Sequence, residues 1–146
     1  GNSAAAAALL LPLCRLAALS FAALTACDPG GMPGMSAEQV VTERAQARWD
    51  ALLEGRLEEA YGYLSPAQRS AMSLRQYQSA ELSSQVRKVG ANVAMASCEG
   101  ESCEVPVEVS VFLVAPVPGL RQFETTQKIN ERWIWTEKEW WYVPRR

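Results

Sequence analysis

Histidine is absent from this chain of 146 residues. It is the side chain most often used as a general base near neutral pH and the commonest protein ligand for metals. The chain also holds only four cysteines, so few residues remain for a metal site, and we expect neither a metal nor a cofactor. Any catalysis would have to rely on carboxylates or tyrosines.

The chain also has no run of basic residues before its final pair, Arg145 and Arg146. Proteins that bind nucleic acid carry clustered lysine and arginine side chains. From Cys27 onward the chain has 13 basic and 16 acidic residues, a net charge of −3. Nucleic acid is therefore not an expected partner. No internal repeat is visible, and this length supports one domain with a modest core.

The one long apolar stretch runs from Ala4 to Ala26 and is interrupted by Arg15. An arginine at the centre of a membrane-spanning helix costs about 2.5 to 3.5 kcal/mol. A signal peptide instead has a positive charge, a short apolar core and small residues before its cleavage site. The pattern therefore predicts a signal peptide over residues 1–26. Because the chain begins with Gly1 and not Met, we expect the translation start to lie elsewhere.

The end of this stretch resembles the lipobox of bacterial lipoproteins, in the residues Leu24, Thr25, Ala26 and Cys27. In that motif the cysteine receives a diacylglycerol, the chain is cut just before it, and the new amino group is acylated. Several acyl chains hold a protein stably on a membrane, whereas one does not. The resemblance implies lipidation of Cys27 and a periplasm-facing place in the bacterial envelope, on either the inner or the outer membrane.

Three alternatives to lipidation of Cys27 stay open. The apolar stretch is also compatible with a plain membrane anchor, or with a secretory signal that leaves Cys27 as a free thiol. Cys14 is a second candidate for lipidation, but Leu13 stands before it where the cleavage site needs a small residue.

Residues 27–35 are rich in glycine and proline, which predicts a flexible tether before a domain over residues 36–146. Ser36 and Ser73 are each followed after three residues by glutamine, a pattern typical of capping boxes at helix starts. Ser65 before a proline marks another start. With apolar residues at helical spacing, these signals predict four short helices up to Gln85, including inward-facing Tyr77 and Leu82.

After Gln85 the apolar residues alternate with polar ones, which predicts four antiparallel strands over residues 86–98, 103–113, 122–136 and 139–143. In the first strand, Val89, Ala91, Val93 and Met95 are expected to share one face. Pro106 cannot donate a ladder hydrogen bond, so it should face a free edge or a bulge. Helices followed by an antiparallel meander predict an α+β fold with the helices on one face of the sheet.

Four segments are similar to those of small bacterial lipoproteins of the nuclear transport factor two-like superfamily: residues 48–55, 59–66, 133–135 and 140–143. The resemblance implies a cone, in which a curved four-stranded antiparallel sheet wraps around a long first helix. Relatives use the cone as a ligand pocket, as an active site or simply as core. They often dimerise through the sheet, so a homodimer is implied here.

Cys98 and Cys103 close a hairpin between the first two strands. Directly opposed strand residues have Cα separations of roughly 4.5 to 5.5 Å, which a disulfide accepts. In an oxidising envelope we therefore expect a Cys98–Cys103 disulfide. The alternatives are a metal site, which lacks two further ligands, and a redox pair, which usually has closer spacing.

Aromatic residues are the remaining candidates for a site. Tyr61 and Tyr63, with Asp50, could supply a donor and a carboxylate inside the cone, although Asp50 is also typical of a solvated helix face. Trp133, Trp135 and Trp140 form either a platform for a sugar or lipid, or the wall of the core. We favour the wall, because buried aromatics dominate small cores. Trp140 and Trp141 should point to opposite faces of their strand, so we expect at least one of them to be exposed and, with the apolar loop 115–120, to form a partner surface.

These patterns predict a lipid-anchored envelope protein that acts without catalysis as a ligand-binding or accessory module. Its expected partners are the membrane and either a small apolar ligand or an envelope protein. The alternatives are a cryptic isomerase or dehydratase with the cone as its active site, and a structural partner of an envelope complex. A pocket lined by Tyr61, Tyr63 and a carboxylate would favour the enzyme, whereas a cone filled by tryptophan would favour an interaction surface.

Overall fold

The computed structural model describes residues 34–113, 119 and 123–145. The predicted signal peptide, Cys27 and residues 28–33 of the predicted tether lie outside these residues. Within them, short helices are followed by strands of one sheet: α1 Ala37–Leu53, α2 Leu57–Gly62, α3 Pro66–Ala71, α4 Leu74–Leu82, β1 Val86–Val93, β2 Ser97–Glu99, β3 Ser102–Leu113, β4 Phe123–Thr136 and β5 Glu139–Val143. The predicted α+β class is confirmed. None of the described helices is long and apolar enough to cross a bilayer.

The helices begin where the serines predict. The Ser36 hydroxyl accepts a hydrogen bond from the Gln39 backbone N–H, and the Gln39 side chain accepts one from the Ser36 N–H. Ser73 and Gln76 form the same reciprocal pair at the start of α4. Such boxes satisfy two N–H groups that a helix start leaves unpaired. Gly55 follows α1 with a φ of 74°, a conformation that glycine adopts without steric cost.

The sheet is antiparallel and centred on β3, which pairs with β1 and β2 on one side and with β4 on the other. The short β5 pairs with the C-terminal part of β4 through the tight turn at Glu137 and Lys138. The sheet curls, and α1 packs against β1, β2 and β3.

The predicted first strand is in fact two strands, β1 and β2, separated by residues 94–96. Pro106 lies opposite this interruption, and its carbonyl accepts a hydrogen bond of 2.9 Å from the Ala94 N–H. In an antiparallel pair, the N and O of one residue point to the same neighbouring strand. The missing N–H of Pro106 therefore faces the interruption, and the prediction that it faces an edge or bulge is confirmed.

Leu82, predicted to face inward, is 79% exposed. Val89 and Met95, predicted to share a face with Ala91 and Val93, are 39% and 61% exposed. The β1–β3 register shifts between Lys88 and Gly90, so Val89 is the extra residue of a bulge and points outward. Met95 lies in the interruption between β1 and β2. Leu82 comes five positions after buried Tyr77, which places it about 140° away around the helix.

Two clusters of buried side chains make the core. One joins α1 to the sheet, and its fully buried members include Val41, Ala45, Val105, Trp133 and Trp140. The other joins α1 to the shorter helices through Ala51, Ala60, Leu64 and Tyr77.

The outer edge of β5 is tied to the helices. Tyr142 donates its backbone N–H to the Tyr63 carbonyl at 2.8 Å and accepts from the Ser65 N–H at 3.1 Å. Leu64, between these two residues, forms a parallel bridge with Tyr142. The junction of α2 and α3 is therefore fixed on the sheet, and it places Tyr63 beside the end of β4.

Candidate ligand-binding site

Three tryptophans of the β4–β5 hairpin, Trp133, Trp135 and Trp140, form a wall of the core. Trp133 and Trp140 are fully buried. Trp135 opposes Trp140 directly across the hairpin, with ring centroids 5.6 Å apart. Trp133 contacts Tyr63 edge-on at 6.3 Å and Tyr142 at 5.9 Å, distances that favour tilted or edge-to-face packing. Trp133 and Trp140 therefore offer no surface to a sugar or a lipid.

A buried ion pair lies beside this wall. Arg48 donates from Nη1 to Glu131 Oε1 at 2.6 Å, and the other oxygen of Glu131 accepts from the Trp133 indole at 3.2 Å. Arg48 is only 5% exposed and Glu131 only 3%. The Arg48 guanidinium also stacks on the Tyr142 ring, 3.7 Å from its centroid. Pairing and hydrogen bonding are what allow such charges to leave water.

Burial affects two phenols near this pair. Burial raises the pKa of Tyr77 to about 12, and it also raises the pKa of Tyr142. The positive charge of Arg48 opposes both shifts. Both phenols therefore stay protonated near neutral pH and do not serve as general bases.

Arg48 and Glu131 are structural residues that sequence reasoning missed. A signal for them was present: Arg48 lies three residues after Ala45 and seven after Val41, on the inward stripe of α1. Glu131 likewise alternates with Trp133 on the inward face of β4. Two opposite charges at core-facing positions were a sign of a buried pair.

The structure does not bring Tyr61, Tyr63 and Asp50 together. The Tyr61 hydroxyl lies 2.8 Å from the Met72 carbonyl oxygen and ties α2 to the end of α3. Asp50 accepts a hydrogen bond of 2.9 Å from the Gln46 side chain, one turn earlier on α1. Tyr63 is thus the only one of the three that lines the cavity described next.

A surface cavity of about 350 Å³ lies at the start of α1. Four of its lining residues are three or four positions apart on one face of α1, where apolar side chains lie next to charged ones. Met35, which precedes the N-cap, is part of it, so the cavity lies where the predicted tether meets the domain. The lining residues are Met35, Val40, Glu43, Arg44, Ala47, Tyr63 and Glu139.

Arg44 is held rigidly in this cavity. Its Nε donates to the Trp140 carbonyl at 3.0 Å, and Nη1 lies 3.4 Å from Glu139 Oε1. The guanidinium carbon is 5.1 Å from the Tyr63 ring centroid and 5.7 Å from that of Trp141, within the range of cation–π attraction. Glu43, next to Arg44 in the chain, is a second carboxylate beside Glu139, so the cavity has two carboxylates and one guanidinium.

This lining suits binding better than chemistry. The net charge of −1 favours a neutral or positively charged ligand, and the apolar lining side chains favour one with a hydrocarbon body. Among the described residues, no group of three or more His, Cys, Asp or Glu is arranged to hold a metal ion.

The remaining predicted residues lie away from this cavity. Cys98 and Cys103 oppose each other across β2 and β3, and their sulphur atoms are joined at 2.00 Å. Trp141 is partly buried and donates from its indole to the Thr136 carbonyl at 2.9 Å. Cys27 lies outside the described residues, as does the loop 115–120 apart from Gly119.

Solved structures of similar fold exist. A SEC-C motif containing protein from Rhodopseudomonas palustris superposes with a TM-score of 0.53 at 10% identity, over 69% of this chain and 73% of that chain. Another from Psychrobacter arcticus gives 0.54 at 11% identity, over 81% of this chain and 68% of that chain. The likeness is one of fold.

A third solved structure is a protein from Streptomyces avermitilis, named as a provisional dehydratase of the nuclear transport factor two-like family. It gives a TM-score of 0.49 at 14% identity, over 71% of this chain and 90% of that chain. No family model matches this chain. No curated protein matches it in sequence.

Proposed function

We propose that this protein is a lipid-anchored protein of the bacterial envelope, of the nuclear transport factor two-like kind, whose domain binds a ligand without catalysis. The observation that carries the non-catalytic part is the filled cone. Trp49, Trp133 and Trp140 are buried there together with the Arg48–Glu131 pair. Enzymes of the superfamily that this chain resembles place their catalytic side chains inside the cone. A filled cone does not favour the isomerase or dehydratase alternative, and it favours a binding site on the surface of the domain.

The ligand site of this proposal is the cavity beside Tyr63. Its apolar side chains, among them Val40 and Ala47, suit the body of a small apolar molecule, and the carboxylates of Glu43 and Glu139 suit an amine or another hydrogen-bond donor. The cavity lies at the tether end of the domain, which faces the bilayer if Cys27 carries the lipid. A ligand drawn from the membrane surface would then have a short path to the cavity.

Lipidation is tested with the full chain in a bacterium fed an alkyne-bearing palmitate. We expect the unsubstituted chain and Cys14→Ser to be labelled and to sediment with membranes. Cys27→Ser should lose the label and become soluble, since the motif has no other thiol at that position. Label retained by Cys27→Ser would assign the lipid to another cysteine, and an unlabelled natural chain would reject the anchor.

Ligand binding is tested by mass spectrometry of residues 28–146 secreted into a bacterial periplasm. We expect a native mass that exceeds the sequence mass and loses the excess on denaturation. Ala47→Leu adds bulk to the cavity side of α1 and should remove the excess. The matched variant Ala80→Leu, on the exposed face of α4, should keep it. A bare native mass of the unsubstituted protein would contradict the proposed ligand site.

A further inference from the structure

The N-terminal half of β4 is an open edge of the sheet. β5 pairs only with Arg132 to Thr136, whereas β3 pairs with β4 continuously from Phe123 to Ile134. From residue 123 to residue 130, β4 therefore has β3 on one side and, in the part of the chain that the structure describes, no strand on the other. Unpaired backbone groups along such an edge are a template for another strand.

The direction of the backbone groups along this edge follows from one hydrogen bond. The Trp135 N–H donates to the Glu101 carbonyl, on the β3 side of β4. Because backbone groups of successive residues alternate between the two sides of a strand, the odd-numbered residues of β4 face β3. The N–H and C=O groups of Glu124, Thr126 and Lys128 therefore point to the open edge.

The two edges of the sheet differ in protection. β1 has a bulge at Val89, and its Lys88 turns to pair with Glu81 on α4. Bulges and such charged residues are devices that keep sheet edges from pairing. The β4 edge has no bulge or proline between Phe123 and Ile129, and its two charged residues, Glu124 and Lys128, are of opposite sign, so they do not repel an antiparallel second copy. The apolar side chains of Phe123 and Ile129 at its ends are 54% and 38% exposed.

We propose that two copies of this chain pair antiparallel through this edge, about a two-fold axis at Thr126. The segment Phe-Glu-Thr-Thr-Gln-Lys-Ile, residues 123–129, is complementary to itself in that register. Thr126 opposes Thr126, Glu124 of each copy opposes Lys128 of the other, and Phe123 opposes Ile129. A shift of two residues would place Phe123 opposite Glu131 and Thr126 opposite Lys128, which loses both matches.

The pairing also continues the apolar layer of the sheet. Ile129 opposes Val107 of β3, and Phe123 opposes Leu113, so both side chains lie on the core face of the sheet. In the dimer, the Phe123–Ile129 contacts fall at positions without mutual hydrogen bonds, where opposed side chains approach most closely. The exposed apolar ends of each copy thereby cover each other.

The register is tested with Thr126→Cys in the full chain, in bacterial membranes under mild oxidation. Opposed residues of a hydrogen-bonded pair have Cα atoms about 5.5 Å apart, which a disulfide accepts. We expect most of the variant to run at twice the chain mass on a non-reducing gel. The controls are Asn92→Cys, at an exposed position of β1, and the unsubstituted chain with its own cysteines. Both should run at the mass of one chain.

Charge exchange provides a second test in the Thr126→Cys background. Lys128→Glu places two like-charge pairs across the dimer interface and should weaken the pairing about tenfold. Within each copy it also breaks the Lys128–Glu108 ion pair, which the second substitution leaves broken. Adding Glu124→Lys restores opposite charges and should restore the cross-linked fraction. Arg87→Glu on β1 is the matched charge reversal and should have no effect. The far-ultraviolet circular dichroism spectrum checks that each variant is folded.

Three results would overturn the proposal. They are a Thr126→Cys variant that stays single, one that links no better than Asn92→Cys, and an adduct of another mass, which would identify a different protein on the edge. Failure of Glu124→Lys to restore the fraction lost with Lys128→Glu would also reject this register. None of these results depends on the cavity.

Discussion

The Arg48–Glu131 pair is the residue-scale feature on which the core most depends. Two charges that leave water lose hydration, and only their close contact and further hydrogen bonds offset that loss. Here Glu131 contacts both Arg48 and the Trp133 indole, and Arg48 stacks on Tyr142. The pair therefore fixes α1, β4 and β5 relative to one another, while either charge alone would be costly.

Glu131→Gln should lower the free energy of unfolding by about 3 to 5 kcal/mol, because it leaves the buried Arg48 charge without a counter-charge. Adding Arg48→Met removes that charge and should recover most of the loss. Urea denaturation of the two variants measures both effects. Glu108→Gln, at an exposed ion pair with Lys128, is the control and should cost less than about 1 kcal/mol. Equal losses for Glu108→Gln and Glu131→Gln would contradict this role of the pair.

At the scale of elements, local signals were predictable and register was not. The capping boxes at Ser36 and Ser73 are formed within four residues, so the sequence alone contains all their partners. The bulge at Val89 depends on how β1 aligns with β3, and a one-residue shift turns every later side chain to the other face. The alternation pattern therefore predicted the extended chain correctly, but it placed Val89 on the same face as Ala91 and Val93 and missed the interruption at residues 94–96.

The β2–β3 hairpin is an element that its disulfide supports. β2 forms only three residue pairs with β3, and Cys98–Cys103 is the central one. In the turn of this hairpin, the Glu101 carbonyl also accepts a hydrogen bond from the Trp135 N–H. Such a short strand has few contacts of its own, so a covalent link contributes a large share of its stability.

Cys98→Ala should lower the free energy of unfolding by about 2 kcal/mol, the loop-entropy value for so short a loop. For a domain of this size the melting temperature should fall by roughly 10 °C. A reducing agent should lower the melting temperature of the natural protein to a similar extent and leave that of the variant unchanged. Calorimetry with and without reductant measures this, and a natural protein insensitive to reductant would argue that no bridge forms.

At the scale of the whole molecule, the sequence predicted the class of fold but only part of the site. Element order and periodicity are sufficient to predict the α+β class, because helices and strands can be recognised from local sequence patterns. The cavity joins Met35 and Tyr63 to Glu139, which lie far apart in the chain and meet only because β5 holds the α2–α3 junction. Arg48 and Glu131 were missed because charged residues are normally solvated, so their core-facing positions carried little weight.

The position of β5 in the chain has a consequence for biosynthesis. β5 supplies Trp140, which is fully buried. It also supplies Tyr142, whose backbone forms hydrogen bonds with the residues on either side of Leu64. Until these residues have left the ribosome, the helices lack the strand that holds them and the core lacks one wall. Folding is therefore completed only after nearly all of the domain has been synthesised. If the protein is exported, as proposed, its chain can still be unfolded when it passes through a translocation pore.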